Sequence, residues 1–170
     1  MSCIVNRRSI RTYMSKEVNR DQIMQLLTAA SWAPSGNNLQ PWRFSVVMEN
    51  KKLLQELSSL TVFRKWVQSS SCLIAVFLDT KATDTNIQNI YLKHVQSIGA
   101  AIQNLLLAAH ELGLATCWIG EILKNEDKVR DLLGVSNDFQ LMAVIAVGYS
   151  KKHDVTSKRR DISKNIIHWL

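Results

Sequence analysis

The sequence predicts a helix-rich α/β domain with about four strands separated by helices. Three observations carry this. "CLIAVFL", residues 72–78, is a continuous run with no polar alternation, the pattern of a strand buried on both faces. Ile98, Ala101, Ile102, Leu105, Leu106, Ala109 and Leu112 form one i, i+3, i+4, i+7 stripe, the mark of an amphipathic helix. Gly113 and Gly134 stand just behind helical stretches, where a left-handed residue stops a helix.

The elements follow in order. Asn19 reads as a helix N-cap with Gln22 three residues on, a capping box. Ile23, Leu26, Leu27 and Ala30 continue it at helical spacing, and Pro34 closes the region because the residue before proline avoids the α conformation. Residues 43–48 read as a strand, 51–59 as a short helix and 62–69 as another. After the buried strand, "KATDTNIQN" is an exposed connection. The helix over 90–112 is apolar nearly all round once Ala100, Leu107 and Ala108 are added, which calls for deep burial or a subunit interface. "LATCWIG", 114–120, is a third strand, 127–133 a short helix and "FQLMAVIAVGY" a final central strand. Periodicity leaves the sheet order, and parallel against antiparallel neighbours, open.

A chain of 170 residues is expected to form a single domain over 1–170, large enough for one core. Three widely spaced cysteines, Cys3, Cys72 and Cys117, offer neither a disulfide framework nor a metal-ligand spacing, and fit a reducing cytoplasmic setting. No apolar run is long enough to span a bilayer.

Net charge is +7, and its location is informative. Residues 1–16 carry Arg7, Arg8, Arg11 and Lys16 with no acid, a net +4. Residues 151–170 carry six bases against Asp154 and Asp161, again +4, while the 134 residues between them sum to −1. The two ends read either as solvated tails or as cations converging on one anion, since phosphate is held best by several arginine forks with hydroxyls. A nucleic-acid surface is a third reading. Against it, the bases are not interleaved with aromatics and no recognised binding motif is present.

The usual chemical motifs are missing. There is no G-x-G-x-x-G, Walker A, H-E-x-x-H or G-x-S-x-G pattern. Four segments remain: "RRSIR" from Arg7, "APSGNNLQPW" from Ala33, "GLATCWIGE" from Gly113 and "SKRRDI" from Ser157. In this order and spacing they resemble the nitroreductase family of FMN-dependent oxidoreductases, over nearly the whole chain.

The resemblance implies an α+β fold, a mixed or mostly antiparallel sheet flanked by helices, with the long buried helix at a homodimer interface. It implies FMN held between subunits, NADH or NADPH as transient hydride donor, and a small acceptor such as a nitroaromatic or quinone reduced in ping-pong order. Arg7, Arg8, Ser9 and Arg11 match the family's phosphate-binding opening. Alternation along an extended chain puts Arg7, Ser9 and Arg11 on one face and Arg8 on the other. Arg159 and Arg160 match the family's basic tail pair, although Asp161 stands where proline is usual.

Pro34, Ser35, Gly36 and Asn38 match a loop that packs on the partner subunit's flavin, with Gly36 permitting close backbone approach. Trp118, Ile119, Gly120 and Glu121 match the segment passing the reactive side of the isoalloxazine, where backbone N–H groups and the glycine's backbone freedom matter more than side chains. Residues 61–70 and 80–91 would supply a substrate lid. No protein acid or base is required, and neither nucleic acid nor membrane is an expected partner. Dehalogenation, flavin destruction and non-catalytic flavin binding remain alternatives on the same fold.

Overall fold

The computed structural model describes residues 2–82, 88–151 and 156–170. Four strands, β1 (Trp42–Val47), β2 (Cys72–Asp79), β3 (Ala115–Ile119) and β4 (Phe139–Gly148), form one sheet in the order β1-β2-β4-β3, and every pairing between them is antiparallel. This settles the order that periodicity left open. Six α-helices are seen among the described residues: α1 (Ser2–Asn6), α2 (Arg20–Ser31), α3 (Lys51–Ser59), α4 (Arg64–Val67), α5 (Gln88–Glu111) and α6 (Glu126–Leu133).

Helices cover both faces of the sheet, so β2 is buried at all eight positions and shows no alternation. On one face, Ile74 and Val76 of β2 with Ile145 and Val147 of β4 pack against Leu26 of α2 and Ile98, Ile102 and Leu105 of α5. On the other, Leu73, Ala75 and Phe77 with Val144 and Ala146 pack against Leu54 and Leu57 of α3, Val67 of α4 and Val129 of α6. A register shift after Val76 pairs Phe77 with Leu141, which turns Leu141 into this second core.

Local chemistry sets the helix ends. Asn19 accepts from the Gln22 N–H while the Gln22 side chain accepts from the Asn19 N–H, completing the capping box. Gly113 and Gly134 take φ of 69° and 63°, the left-handed stop. α2 ends at Ser31, three residues before Pro34. The helix expected over 62–69 is only the single turn of α4, and α1 was not anticipated. Positions 83–87 of the expected connection lie outside the described residues.

α5 buries Ile98, Ala101, Ile102, Leu105, Leu106 and Ala109, but its opposite side is only half covered in one protomer. Leu92 is exposed, Ala100 and Leu107 are half-buried, and a Cβ built on Gly99 would meet nothing within 4 Å.

Candidate functional site

The basic opening runs beside β3. Ser9 bridges Thr116 in parallel, and the Ile10 N–H donates to the Thr116 carbonyl at 2.9 Å. The chain then stays on the sheet, with the Tyr13 hydroxyl donating to the carbonyls of Ile10 and Ala146 and the Met14 N–H to that of Tyr149. The sheet edge therefore fixes the direction of each side chain from Arg7 to Arg11.

The Ser9 side chain is within hydrogen-bond reach of the Cys117 thiol, and the charges of Arg11 and Arg7 act on it. Burial outweighs them and pushes the Cys117 thiol above its ordinary range, so it is an inert thiol under a basic patch. Arg8 turns the other way: its Nη1 donates to the carbonyls of Val5 at 2.5 Å and Arg7 at 2.8 Å.

Arg7 is the strained member. Burial lowers its affinity for a proton, and the neighbouring charges of Arg8 and Arg159 lower it further. Its Nε is buried with no hydrogen-bond partner. A guanidinium does not deprotonate in proteins, so the relief open to it is an anion. The charge of Arg159, from the far end of the chain, therefore reaches Arg7. The Arg159 side chain folds onto Ser157 and the Lys158 carbonyl, while Arg160 is exposed.

β3 continues from this patch into Trp118, which is 41% exposed, and Ile119, which is buried. Gly120 has φ −90° and ψ −22°, an ordinary conformation, and a Cβ on it would meet nothing within 4 Å. What this glycine supplies is open space against its backbone, not the conformational freedom the sequence suggested. The Glu121 carboxylate points elsewhere. Its Oε2 accepts from the Thr61 hydroxyl at 2.6 Å and the Val62 N–H at 3.2 Å, and Oε1 pairs with Lys124. Those contacts, from Lys124 first and Thr61 second, hold its pKa below the usual range.

The loop at 34–40 is built differently. Asn37, Asn38 and Gln40 have φ of 56°, 54° and 48°, a left-handed conformation that Asn tolerates better than most residues and that costs Gln40 most. Ser35 Oγ accepts from the Gln40 N–H at 3.0 Å, and Gln40 Nε2 donates to Asn38 Oδ1 at 3.2 Å. Behind the loop, Trp42 is core, and the Pro41 carbonyl accepts from the Asp79 N–H at 2.8 Å. Trp32 is 82% exposed, so only one of the two flanking tryptophans is a core residue. A Cβ on Gly36 would lie 2.9 Å from Lys93 Cε, so the missing side chain lets the loop settle on α5.

In one protomer the loop and the basic patch are far apart. Pro34, Ser35 and Gly36 line a hollow along the first half of α5, from Lys93 to Ala100, whereas Arg7 and Arg8 line one with His110 near its end. Lys93 and His110 are 17 residues apart on α5, a rise of about 25 Å. Sequence reasoning named both segments but missed Thr61 as the partner of Glu121, because 60 residues separate them.

The pattern has relatives. The model of the Nitroreductase family matches residues 4–149. A protein of Archaeoglobus fulgidus named "Putative NADH dehydrogenase/NAD(P)H nitroreductase" is 33% identical over 153 residues, spanning 89% of this chain and 85% of that one. A solved structure from Desulfovibrio desulfuricans, described as a putative nitroreductase in complex with FMN, superposes with a TM-score of 0.90. It shares 33% identity and covers 99% of this chain and 95% of its own. A nitroreductase family protein of Streptococcus pneumoniae, 22% identical, shares the fold at a TM-score of 0.88 over 99% and 98% of the two chains. With the family match running through the basic opening, the strained loop and the Gly120 turn alike, the chain belongs to the nitroreductase family.

Proposed function

We propose that the chain, a single domain over 1–170, is an FMN-dependent NAD(P)H oxidoreductase that works as a homodimer. The observation that carries it is Arg7. A buried, unpartnered Nε stands among cations from both ends of the chain, which is a site in need of a dianion. A flavin phosphate fits that need, with Arg7, Ser9 and Arg11 as its primary partners and Arg159 completing the cradle. Arg160 and Arg8 contribute charge at the rim. Trp118, Ile119, Gly120 and Glu121 carry the backbone past the ring edge, and the open space over Gly120 lets a flat ring approach.

FMN held there would supply hydride chemistry between NADH or NADPH and a small acceptor such as a nitroaromatic or quinone, donor and acceptor visiting in turn. The protein's part is to bind, orient and shield. Along α5, the stretch from Lys93–Ala100 to His110, a rise of about 15–25 Å, separates the basic patch from Pro34, Ser35, Gly36 and the neighbouring Asn38 of the same chain. A two-fold dimer packed on the half-covered face of α5 brings the loop of one chain to the patch of the other. The polar edge of Asn38 then meets the ring, and the left-handed backbone holds it there. No helix among the described residues is long and apolar enough to cross a membrane. The free thiols of Cys3, Cys72 and Cys117 suit a cytoplasmic setting.

The test is an absorbance spectrum of the purified protein, then anaerobic addition of NADH or NADPH. A flavin spectrum that bleaches on addition supports the reading. A colourless protein that takes up no added FMN overturns it.

A further inference from the structure

We propose that Glu121 is a positioning residue whose carboxylate latches the 60–66 segment to the turn after β3, so that this segment forms a fixed wall beside Gly120. The proposal rests on the functional reading above for what the wall faces, but the latch itself is geometric.

The latch has three strands. Glu121 Oε2 accepts from the Thr61 hydroxyl at 2.6 Å and from the Val62 N–H at 3.2 Å. Asn125 Nδ2 donates to the Leu60 carbonyl at 2.7 Å, tying the turn after β3 to the residue before Thr61 as well. The Thr61 oxygen also accepts from the Phe63 N–H at 3.3 Å. Thr61 is only 4% exposed, so its hydroxyl needs a partner, and the carboxylate across the gap supplies one. Inside the segment, the Phe63 and Trp66 rings lie 5.7 Å apart and Trp66 reaches Tyr13 at 6.5 Å, which anchors the other end to the basic opening.

What the latch holds out is informative. Val62 and Phe63 are 68% and 40% exposed, and Arg64 and Lys65 follow, also exposed. Neither cation is within 4 Å of a carboxylate among the described residues. An apolar step followed by two cations, on a segment held by the residue that follows Gly120, suits an anionic, partly aromatic visitor, the class to which a nicotinamide dinucleotide belongs. Glu121 therefore acts on the transient substrate through the segment, and not on the resident flavin through its own side chain.

Two measurements separate the latch from the flavin reading. Hydrogen exchange at 61–66 in the apoprotein should accelerate about tenfold or more in Glu121→Ala and Thr61→Val, with exchange in β2 and β4 unchanged. Thr61→Ser should restore protection, and Lys124→Ala should leave it near wild type. Unchanged exchange in Glu121→Ala overturns the latch, whether or not FMN binds. In the FMN-loaded enzyme, Glu121→Ala and Thr61→Val should raise KM for the nicotinamide donor about tenfold while kcat falls no more than about twofold and FMN retention holds. Loss of FMN retention in these variants with an unmoved donor KM overturns the positioning role. Failure of the wild type to bind FMN overturns the flavin reading and leaves the exchange test standing.

Discussion

The basic opening and the 34–40 loop make opposite uses of the backbone. From Arg7 to Arg11 the chain is extended and borrowed by the sheet, and nothing about its conformation is costly. Its tension is electrostatic, in a half-buried arginine with a buried, unpartnered Nε among like charges. In the loop the charges are absent and the tension is conformational, in three left-handed residues that are not glycine. One region gathers positive charge, the other holds a costly shape. The proposed composite site joins the two, with a phosphate-bearing ring system between the patch of one protomer and the loop of its partner.

The largest expected effect strikes the electrostatic half. Arg7→Ala, and to a lesser degree Arg11→Ala, should weaken FMN binding by about 1.5–3 kcal/mol each, some tenfold to a hundredfold in Kd. Lys151→Ala should change it by less than about 1 kcal/mol, as a surface charge would. Fluorescence titration of the apoprotein reads all three, and equal affinities would remove the phosphate from the patch. Next is the conformational half. Asn37→Val puts a β-branched residue at φ 56° and should cost about 1–2 kcal/mol of stability, with weaker FMN retention although Arg7 is untouched. Asn37→Gly should at least preserve stability and loosen the loop.

Smaller effects mark what belongs to neither half. Asn19→Ala removes the capping box on α2 and should lower stability by about 1 kcal/mol, leaving FMN affinity unchanged. Glu17 sits lowest on the scale. Hydrogen bonds from Lys51 and Ser71 hold its pKa below the ordinary value of 4.5. Its contribution is therefore present above the unfolded pKa and lost as pH falls through the lower folded one. Because Glu17 is exposed, the contribution is under about 1 kcal/mol. Glu17→Gln should flatten the acid side of the stability curve, which thermal melts from pH 6 down to about pH 3 would show.

Sequence patterns reached those features whose cause is local or periodic. The capping box at Asn19, the stops at Gly113 and Gly134, the doubly buried β2 and the α5 stripe all follow from residues within one or two turns of each other. Pairings between distant segments stayed hidden. The antiparallel order of β1-β2-β4-β3 is a long-range choice, and so is the seat of Ser9 on Thr116. Gly120 misled because glycine signals either an unusual φ or an empty space, and composition does not distinguish them. Thr61 and Glu121 carry no mark as a pair until the fold brings them within 2.6 Å. The reach of Arg159 to Arg7 was one of several outcomes that charge location allowed. Of the expected lid, positions 83–87 lie outside the described residues, and so do 152–155 of the basic tail.

The most direct test of the composite site is complementation in a mixed dimer. One chain carries Arg7→Ala and Arg11→Ala, its partner carries Asn37→Val and Asn38→Ala, and the two are co-purified through different tags. Each homodimer should be impaired at both sites. If patch and loop come from different chains, the heterodimer regains one intact site, and it should bind one FMN per dimer with near wild-type affinity and bleach on addition of NADH or NADPH. If patch and loop serve the same chain, every site in the heterodimer keeps one defect, and no such recovery will be seen.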